Sequence, residues 1–301
     1  DPIGGLALAP RFSGVFDGLN HKVVDLFINR PTTDNVGLFG FGDASVIRNV
    51  RLDNANVVGH DDVGALMGLQ RNGALISNAV TSGSVLGRAG VGGVAGISYY
   101  YDPLTGAWGA GSTIEYSSSS ANVTATLFGA GGLVHYIDLS TVSNSYATGR
   151  VTAPTQAGGL VGADISSSII NSYSTGQVTG TTSPNGGLLG YGAGATSSYF
   201  DTQTTQQPVE GFASRGIGKT TAEMKQQATY AGWDFANIWQ INPGEYPTLR
   251  NAPPLVATYL TPAGSLPAAQ RNLSPAVVAA IIAATNSAAN SGSVPNNTTN
   301  I

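Results

Sequence analysis

Three acidic residues are the first candidates for chemistry in this sequence. Asp34 and Asp61 each stand two residues before a recurring block of small apolar residues, and Asp62 follows Asp61 directly. Carboxylates stacked on neighbouring repeats could hold Ca²⁺, or they could serve as acid and base in glycoside cleavage. Asp is also a common turn residue, and we favour that interpretation because later copies of the position are not acidic. Those copies carry Ala89, Phe128, Thr155 and Ser183.

A tyrosine-rich insertion is the second candidate. Tyr99, Tyr100, Tyr101 and Trp108 lie in a stretch that lengthens one otherwise regular repeat. Insertions in repeat proteins form loops on one face, which is often the binding face. Such aromatic side chains could stack on sugar rings or anchor a protein partner. The alternative is that they fold back and cover apolar surface of the repeats.

The composition disfavours several classes of function. The chain has no Cys, which excludes thiol catalysis and thiolate zinc sites. Its 13 Lys and Arg residues are scattered and its net charge is -4, so no nucleic-acid partner is expected. His21, His60 and His135 share no metal-ligand spacing, and no GxSxG nucleophile motif occurs. The most apolar helical stretch, Pro275–Thr285, is about half of the roughly 20 residues that a membrane span needs.

Repeats of about 28 residues must position these candidates. Each repeat contains a small apolar block beside glycines, such as VGLFG at Val36–Gly40 and AGGLVG at Ala157–Gly162. Corresponding residues of the blocks are separated by 28, 28, 39, 27 and 28 positions, and the long interval holds the insertion. These residues are Leu38, Leu66, Val94, Leu133, Leu160 and Leu188. Because one such unit cannot bury its apolar face alone, the units are expected to stack and share a core.

The pattern predicts an all-β fold, a right-handed β-solenoid (β-helix) of about six coils with a small α-containing C-terminal cap. The handedness rests on analogy with other β-helices. Asn49, Asn78, Asn144 and Asn171 recur at one position, which predicts an Asn ladder whose amides bind the coils above and below. Tyr116 interrupts this ladder in the fourth repeat.

The repeats resemble a known family. NSYATGRV from Asn144, NSYSTGQV from Asn171 and the intervening GGLVG look like the GLUG repeat. That repeat occurs in filamentous-haemagglutinin-like exoproteins of two-partner secretion systems, which are bacterial adhesins, and in some surface-anchored peptidases. The stretch Phe12–Gly40 resembles the unit that opens such arrays, and Ser198–Arg250 resembles the unit that ends them.

The resemblance implies secretion through an outer-membrane transporter of a Gram-negative bacterium. It also implies a location on the cell surface, a role in adhesion or biofilm formation, and no catalytic residues. The chain begins at Asp1 without an initiator Met, and it is expected to be a processed piece or fragment of a longer exoprotein.

Five segments are predicted along the chain. They are a β-solenoid over residues 1–200, a capping segment over 201–250, a Pro-rich linker over 251–273, an Ala-rich helix over 274–290 and a disordered tail over 291–301. In the capping segment, Thr220 and Glu223 form a predicted capping box that opens a helix to about Tyr230. Large apolar residues after it are expected to cover the last coil. They are Met224, Trp233, Phe235 and Trp239.

The sequence therefore predicts a non-enzymatic adhesin segment without a cofactor, apart from the Ca²⁺ that the three Asp residues could hold. Its expected partners are a glycan or protein of a host cell or matrix, together with the transporter that exports the parent protein. A β-helical carbohydrate-active enzyme is the first alternative, but it would need three or more aligned acidic residues. The second alternative is a non-catalytic stalk of a surface peptidase.

Overall fold

The computed structural model describes residues 3, 11–99, 101–102, 107–108, 111–208 and 215–250. The chain forms a β-solenoid of about six turns, and 56% of the described residues are β-strand. The linker, helix and tail predicted over residues 251–273, 274–290 and 291–301 lie outside the described residues. None of the helices in the described ranges is long and apolar enough to cross a membrane.

Each coil contributes two or more strands, which are longest in the first three coils. The first three coils contain β1 Val15–Val24, β2 Phe27–Asn29, β3 Phe39–Asp43, β4 Val46–Val58, β5 Asp61–Gly64, β6 Met67–Arg71, β7 Leu75–Gly92 and β8 Ala95–Ser98. The insertion that follows contains β9 Tyr101–Asp102 and β10 Ala107–Trp108. The next two coils contain β11 Thr113–Glu115, β12 Ser118–Ser119, β13 Asn122–Gly131, β14 Val134–Asp138, β15 Thr141–Ser143, β16 Tyr146–Ala147, β17 Val151–Ala153, β18 Ala157–Gly158 and β19 Val161–Ile165.

The last full coil leads into the capping segment. Its strands are β20 Ser168–Ile170, β21 Tyr173–Ser174, β22 Val178–Gly180, β23 Asn185–Gly186 and β24 Leu189–Tyr191. The elements after it are β25 Ala195–Thr196, β26 Tyr199–Asp201, α1 Thr202–Thr205, β27 Ile217–Lys219, α2 Thr221–Met224, a 3₁₀ turn at Gln227–Thr229, β28 Trp239–Gln240 and β29 Thr248–Leu249.

Parallel pairing between successive coils builds two main sheets. The strands that close the coils, β3, β6, β8, β14, β19 and β24, form one six-stranded sheet, and a 19-stranded sheet makes up the rest of the wall. Side chains alternate along each strand, so every second residue points into the shaft. The inward residues pair in register from coil to coil, as in the fully buried column Ile47, Ile76, Ile114, Val142 and Ile169.

The apolar blocks lie where the repeat predicts, inside the coil. Leu66, Leu133, Leu160 and Leu188 are fully buried in the shared core, as is Val94. Leu38 of the first coil is only partly buried and packs against that core. The 28-residue period therefore reflects one complete turn of the solenoid.

Two columns of buried or partly buried serines form hydrogen bonds at the corners between strands. In the first column, each hydroxyl accepts the backbone N–H of the equivalent residue one coil earlier, at 3.1 to 3.2 Å. The same hydroxyl donates to the carbonyl two residues before it, at 2.7 to 2.9 Å. This column consists of Ser117, Ser145, Ser172 and Ser198. Ser140 and Ser167 repeat the inter-coil contact at another corner.

The residue before each serine of the first column has a left-handed backbone. Asn144 and Asn171, with φ of 46° and 48°, precede Ser145 and Ser172. Asn adopts this conformation more readily than most residues. The backbone conformation therefore explains the recurrent Asn.

The predicted Asn ladder is only partly present. Asn78 donates to Asn49 Oδ1 at 2.9 Å, and Asn49 donates to Asp17 Oδ1 at 3.0 Å. Within the described coils, Asn144 and Asn171 make no amide bond to each other, so the predicted ladder is confirmed for Asn49 and Asn78 and is wrong for Asn144 and Asn171, which lie beyond the interruption at Tyr116. The shared property of the column is the left-handed turn, which Tyr116 also adopts with a φ of 48°.

The capping segment lies along the flank of the shaft, where Trp233 packs on Tyr199 of the last coil, as predicted, and Trp239 packs on the two coils before it. Tyr146, Tyr173 and Tyr199 occupy one position in successive coils and pair in register. The rings of Tyr146 and Tyr173 stack at 5.0 Å and 5°. Trp233 and Trp239 pack on this column, with ring centroids 6.3 and 6.0 Å from that of Tyr173.

The helix of the capping segment is shorter than the sequence predicts. Thr220 and Glu223 form both bonds of the capping box, but α2 ends at Met224. Gln226 is extended, with φ -121° and ψ 128°, and this breaks the predicted helix before Tyr230. A capping box determines where a helix begins but not where it ends.

Polar side chains close the end of the last coil. Arg215 donates to the carbonyls of Asn185 at 3.3 Å and Leu189 at 3.1 Å, and also to Gly190. Asp201 is fully buried and caps α1 by accepting two backbone N–H groups. Its carboxylate also accepts the hydroxyls of Thr221 at 2.7 Å and Tyr246 at 2.6 Å. Arg215 thus engages carbonyls at the end of the last coil, and Asp201 holds the segments that follow it.

Candidate functional site

One corner of the first three coils carries a chain of charged side chains. His60 Nδ1 lies 2.7 Å from Asp34 Oδ1, and that oxygen also accepts the backbone N–H of Asp61 at 3.2 Å. Arg88 of the third coil donates through Nε to Asp61 Oδ1 at 3.0 Å, and through Nη2 to Asp61 Oδ2. Parallel stacking thus brings Asp34 and Asp61 together, as their repeat positions predict.

Asp62 faces a different environment from its neighbour. Its backbone is left-handed, with a φ of 57°, and its Oδ1 lies where a side chain at Gly90 would clash at 2.6 Å. Burial raises the pKa of Asp62 to about 7, and the charges of Asp61 and Asp34 add to the effect. The absence of a side chain at Gly90 leaves room for this carboxyl.

The charged corner is a poor match for a divalent cation. Ligand atoms of Asp34, His60 and Asp61 lie within 4.8 Å of one another, so His60 takes the place that the sequence predicted for Asp62. However, Arg88 engages both oxygens of Asp61, and a cation there would have to displace the guanidinium. The arrangement fits an ion-pair chain that ties three coils together better than a Ca²⁺ site, whose ligands are oxygens left open to the ion.

The insertion leaves the shaft as a hairpin. After β8 the chain forms the antiparallel pair β9 and β10, in which Tyr101 faces Trp108 and Asp102 faces Ala107. Tyr99 is partly buried at the base, and its N–H donates to Gln70 O at 3.1 Å. Tyr100 lies outside the described residues. The structure therefore brings Tyr101 and Trp108 to paired backbone positions on one hairpin.

Below the hairpin, the same corner exposes large apolar residues on successive coils. Leu139, Ile165 and Tyr191 are 45%, 47% and 51% exposed and lie at or just beyond the ends of β14, β19 and β24. Gly111, where the insertion rejoins the shaft, lies against the carbonyl of Leu139. We call the corner formed by the hairpin, Leu139, Ile165 and Tyr191 the exposed edge.

Sequence reasoning missed the exposed edge below the hairpin. Its residues lie at non-equivalent positions of their coils, since Ile165 pairs with Asp138 and Tyr191 pairs with Ala163, so no repeat pattern marks them. The signal that could have found them is an apolar residue at a corner, where polar or Gly residues are the rule.

His135 occupies a position that holds Gly in the neighbouring coils. Its ring is only 4% exposed and fits because Gly129 and Gly162 lack side chains, which would clash at 1.9 and 2.5 Å. Burial lowers the pKa of His135 to about 4. The residue therefore fills space in its neutral form at neutral pH.

Comparison with known proteins supports the repeat. Residues 153–179 match the GLUG motif. A 95-residue stretch, 31% of this chain and 1% of the relative, is 44% identical to Halomucin of Haloquadratum walsbyi. A stretch of 120 residues, 36% of this chain and 14% of the relative, is 32% identical to a protein of Evansella cellulosilytica named "Putative Gly-rich membrane protein". The chain thus spans a small part of each relative.

A solved structure shares the fold. It is the crystal structure of a protein from Bacteroides ovatus named "putative immunoglobulin A1 protease". The TM-score is 0.61 and the identity 22%, and the match covers 82% of this chain and 79% of that one. At this identity the likeness shows a common architecture and nothing about activity.

Proposed function

We propose that this chain is a non-enzymatic shaft segment of a cell-surface protein and that it displays a binding edge for adhesion. The observation that carries the proposal is the insertion at residues 99–111, whose strands β9 and β10 pair outside the regular coils and which is followed by the exposed edge. Insertions on one face of a solenoid are commonly its binding elements. The partner is a glycan or protein of a host cell or biofilm matrix.

The charged corner supports the non-enzymatic part of the proposal. Glycoside cleavage needs carboxyl groups that can donate or accept protons at the substrate. Asp34 and Asp61 are instead engaged by His60 and Arg88. The next coils carry Ala89 and Phe128 at the corresponding position, so the acidic row does not continue.

The relatives support a surface location. The names of the Evansella protein and of Halomucin point to membrane or surface proteins, and this chain resembles a segment of each. Export by an outer-membrane transporter is the finer part of the proposal. It is supported by the order of an opening unit, GLUG-like repeats and a closing unit along the sequence. Expression of the full parent gene with and without a neighbouring transporter gene, followed by assay of the culture medium, tests this part.

The central experiment compares the intact chain with a variant in which a short Gly-Ser link replaces residues 99–111. Both are applied to glycan arrays and to cultured epithelial cells, and circular dichroism melting verifies the fold. A second variant, with Ser-Gly in place of Pro243 and Gly244 in an exposed turn of the capping segment, is the matched control. Binding lost only in the first variant supports the proposal. Equal binding by all three proteins, or none by any, contradicts an adhesive role for the hairpin.

The name of the Bacteroides neighbour motivates a direct test for proteolysis. If the chain is a stalk and not a peptidase, immunoglobulin A1 incubated with the purified chain stays intact by gel electrophoresis. Cleavage that tracks with the chain through purification would contradict the non-enzymatic proposal.

A further inference from the structure

An open groove of about 830 Å³ lies on the exposed edge, at the last two full coils. Tyr191 lines it with a ring that is 51% exposed, and Ile165 of the coil before lines it beside Tyr191. Its size falls in the range of about 300 to 1,000 Å³ that is usual for small-molecule sites. The groove therefore has room for a ligand and an aromatic surface on which a ligand can rest.

Polar contacts fix the walls of this groove. Asp164, which is 5% exposed, accepts the backbone N–H of Ser167 at 2.8 Å and that of Ala193 at 3.3 Å. It thereby ties the corners of two coils together. Arg215, at the other side, is held by carbonyls of the last coil. Walls that are ordered before binding lower the entropic cost of binding.

The chemistry of the groove favours a neutral, hydroxyl-rich ligand. Its charged lining groups are one carboxylate and one guanidinium, so no single sign of charge dominates. A polyanion would need a cluster of cations. Ser166 is exposed and offers a hydroxyl, and Tyr191 combines an apolar ring with a polar tip. A sugar has the matching surface, with an apolar face of C–H groups and a rim of hydroxyls.

The groove also lies in line with the hairpin. The hairpin leaves the shaft after β8, and Tyr191 ends β24 at the same corner three coils later. With coils about 4.8 Å apart, the two are separated by roughly 14 Å along the shaft. Leu139 and Ile165 bridge the interval on the intervening coils. A ligand chain that lies parallel to the shaft axis can touch both ends of the exposed edge.

We propose that the groove around Tyr191 is a subsite for a neutral glycan chain that lies along the exposed edge. The proposal rests on the adhesive function proposed above and names its ligand class. Tyr191 supplies the stacking surface, Ser166 supplies a hydroxyl, and Asp164 and Arg215 hold the walls.

The test measures binding of the full chain to immobilised neutral hexasaccharides of glucose, galactose, mannose and N-acetylglucosamine by biolayer interferometry. For a member bound by the parent chain, Tyr191→Ala is expected to weaken the affinity about tenfold or more, because an aromatic contact and its buried area are lost. Tyr191→Phe keeps the ring and retains most of the affinity. Phe27→Ala removes another exposed ring, on the first coil, and leaves the affinity unchanged.

A second variant and the hairpin replacement keep the outcomes distinct. Ile165→Ser should also weaken binding, and circular dichroism melting confirms that each variant is folded. If Tyr191→Ala binds like the parent while the hairpin replacement does not, the groove is not a subsite and the proposed function stands. If the parent binds none of these glycans but does bind cells, the ligand class is wrong and the adhesive function stands. If Tyr191→Ala and Phe27→Ala lose affinity equally, the effect is not specific to the groove.

Discussion

Replacing Ser145 by Ala tests whether the serine column stabilises the solenoid. The Ser145 hydroxyl accepts the buried N–H of Ser117 at 3.1 Å and donates to Ser143 O at 2.7 Å. The carbonyl of Ser143 keeps a second donor, because it also accepts from Tyr116 N at 3.2 Å. The substitution therefore leaves the N–H of Ser117 as the unpaired buried group.

The size of the effect follows from that single donor. An unpaired buried donor costs about 1 to 3 kcal/mol, and Ser117 and Ser145 are both fully buried. We expect Ser145→Ala to lower the free energy of opening at this corner by about 2 kcal/mol. This corresponds to exchange of the Ser117 amide hydrogen about 30-fold faster, as each 1.4 kcal/mol is a factor of ten.

Hydrogen exchange read by mass spectrometry or NMR measures this effect locally, which suits a solenoid whose coils need not unfold together. Ser143→Ala is the matched control, since it removes a partly exposed hydroxyl from the same coil. We expect the control to change exchange at Ser117 by less than about threefold. Equal acceleration in both variants, or none in Ser145→Ala, would refute the reasoning about the serine column.

Two further predictions concern the capping segment and the response to pH. Asp201→Ala removes the cap of α1 and the acceptor of Tyr246, so it should lower the free energy of unfolding of the capping segment by about 2–4 kcal/mol, measured by tryptophan fluorescence in denaturant. Asp234→Ala, in an exposed turn, should leave the capping segment in place. Because burial raises the pKa of Asp62 from 3.8 to about 7, the folded state keeps a proton that the unfolded chain releases, and stability falls as pH rises across that window. Burial lowers the pKa of His135 from 6.5 to about 4, so the unfolded chain takes up a proton that the folded state does not, and stability falls as pH falls across that range. Asp62→Asn removes the loss of stability with rising pH, so its urea midpoint should rise more steeply than that of the parent from pH 4 to 8. His135→Gln removes the gain of stability with rising pH, so its urea midpoint should fall more steeply over the same range. Unchanged profiles would contradict both assignments.

The solenoid was predictable because every coil meets the same requirement. An inward residue such as Ile76 must pack on Ile47 below and Ile114 above, so apolar types recur at a fixed interval. Insertions stand out against such a period, which is why the hairpin could be located from the sequence. These features depend on contacts between equivalent residues of adjacent coils.

Other features depend on contacts without a repeat. The capping segment packs on the flank because Tyr146, Tyr173 and Tyr199 form an aromatic column there. The sequence around Trp233 does not indicate this packing site. The groove at Tyr191 joins residues from two coils and from Arg215 beyond them, at positions whose types vary. Ser145 was overlooked for a different reason, since Ser at a corner is also an ordinary turn residue.

The serine column has a direction. The hydroxyl of each coil completes the hydrogen bonding of the coil before it, from Ser117 serving Ala79 through Ser198 serving Ser172. The last coil of a growing array therefore has an unpaired N–H in this column until the next coil folds onto it. If the chain folds from its amino end, only one N–H of this column is unpaired at a time. Each added coil then accepts the N–H of the coil before it. Loss of the last coil would leave the N–H of Ser172 unpaired, so the capping segment, which packs on Tyr199 of that coil, also protects the end of the column.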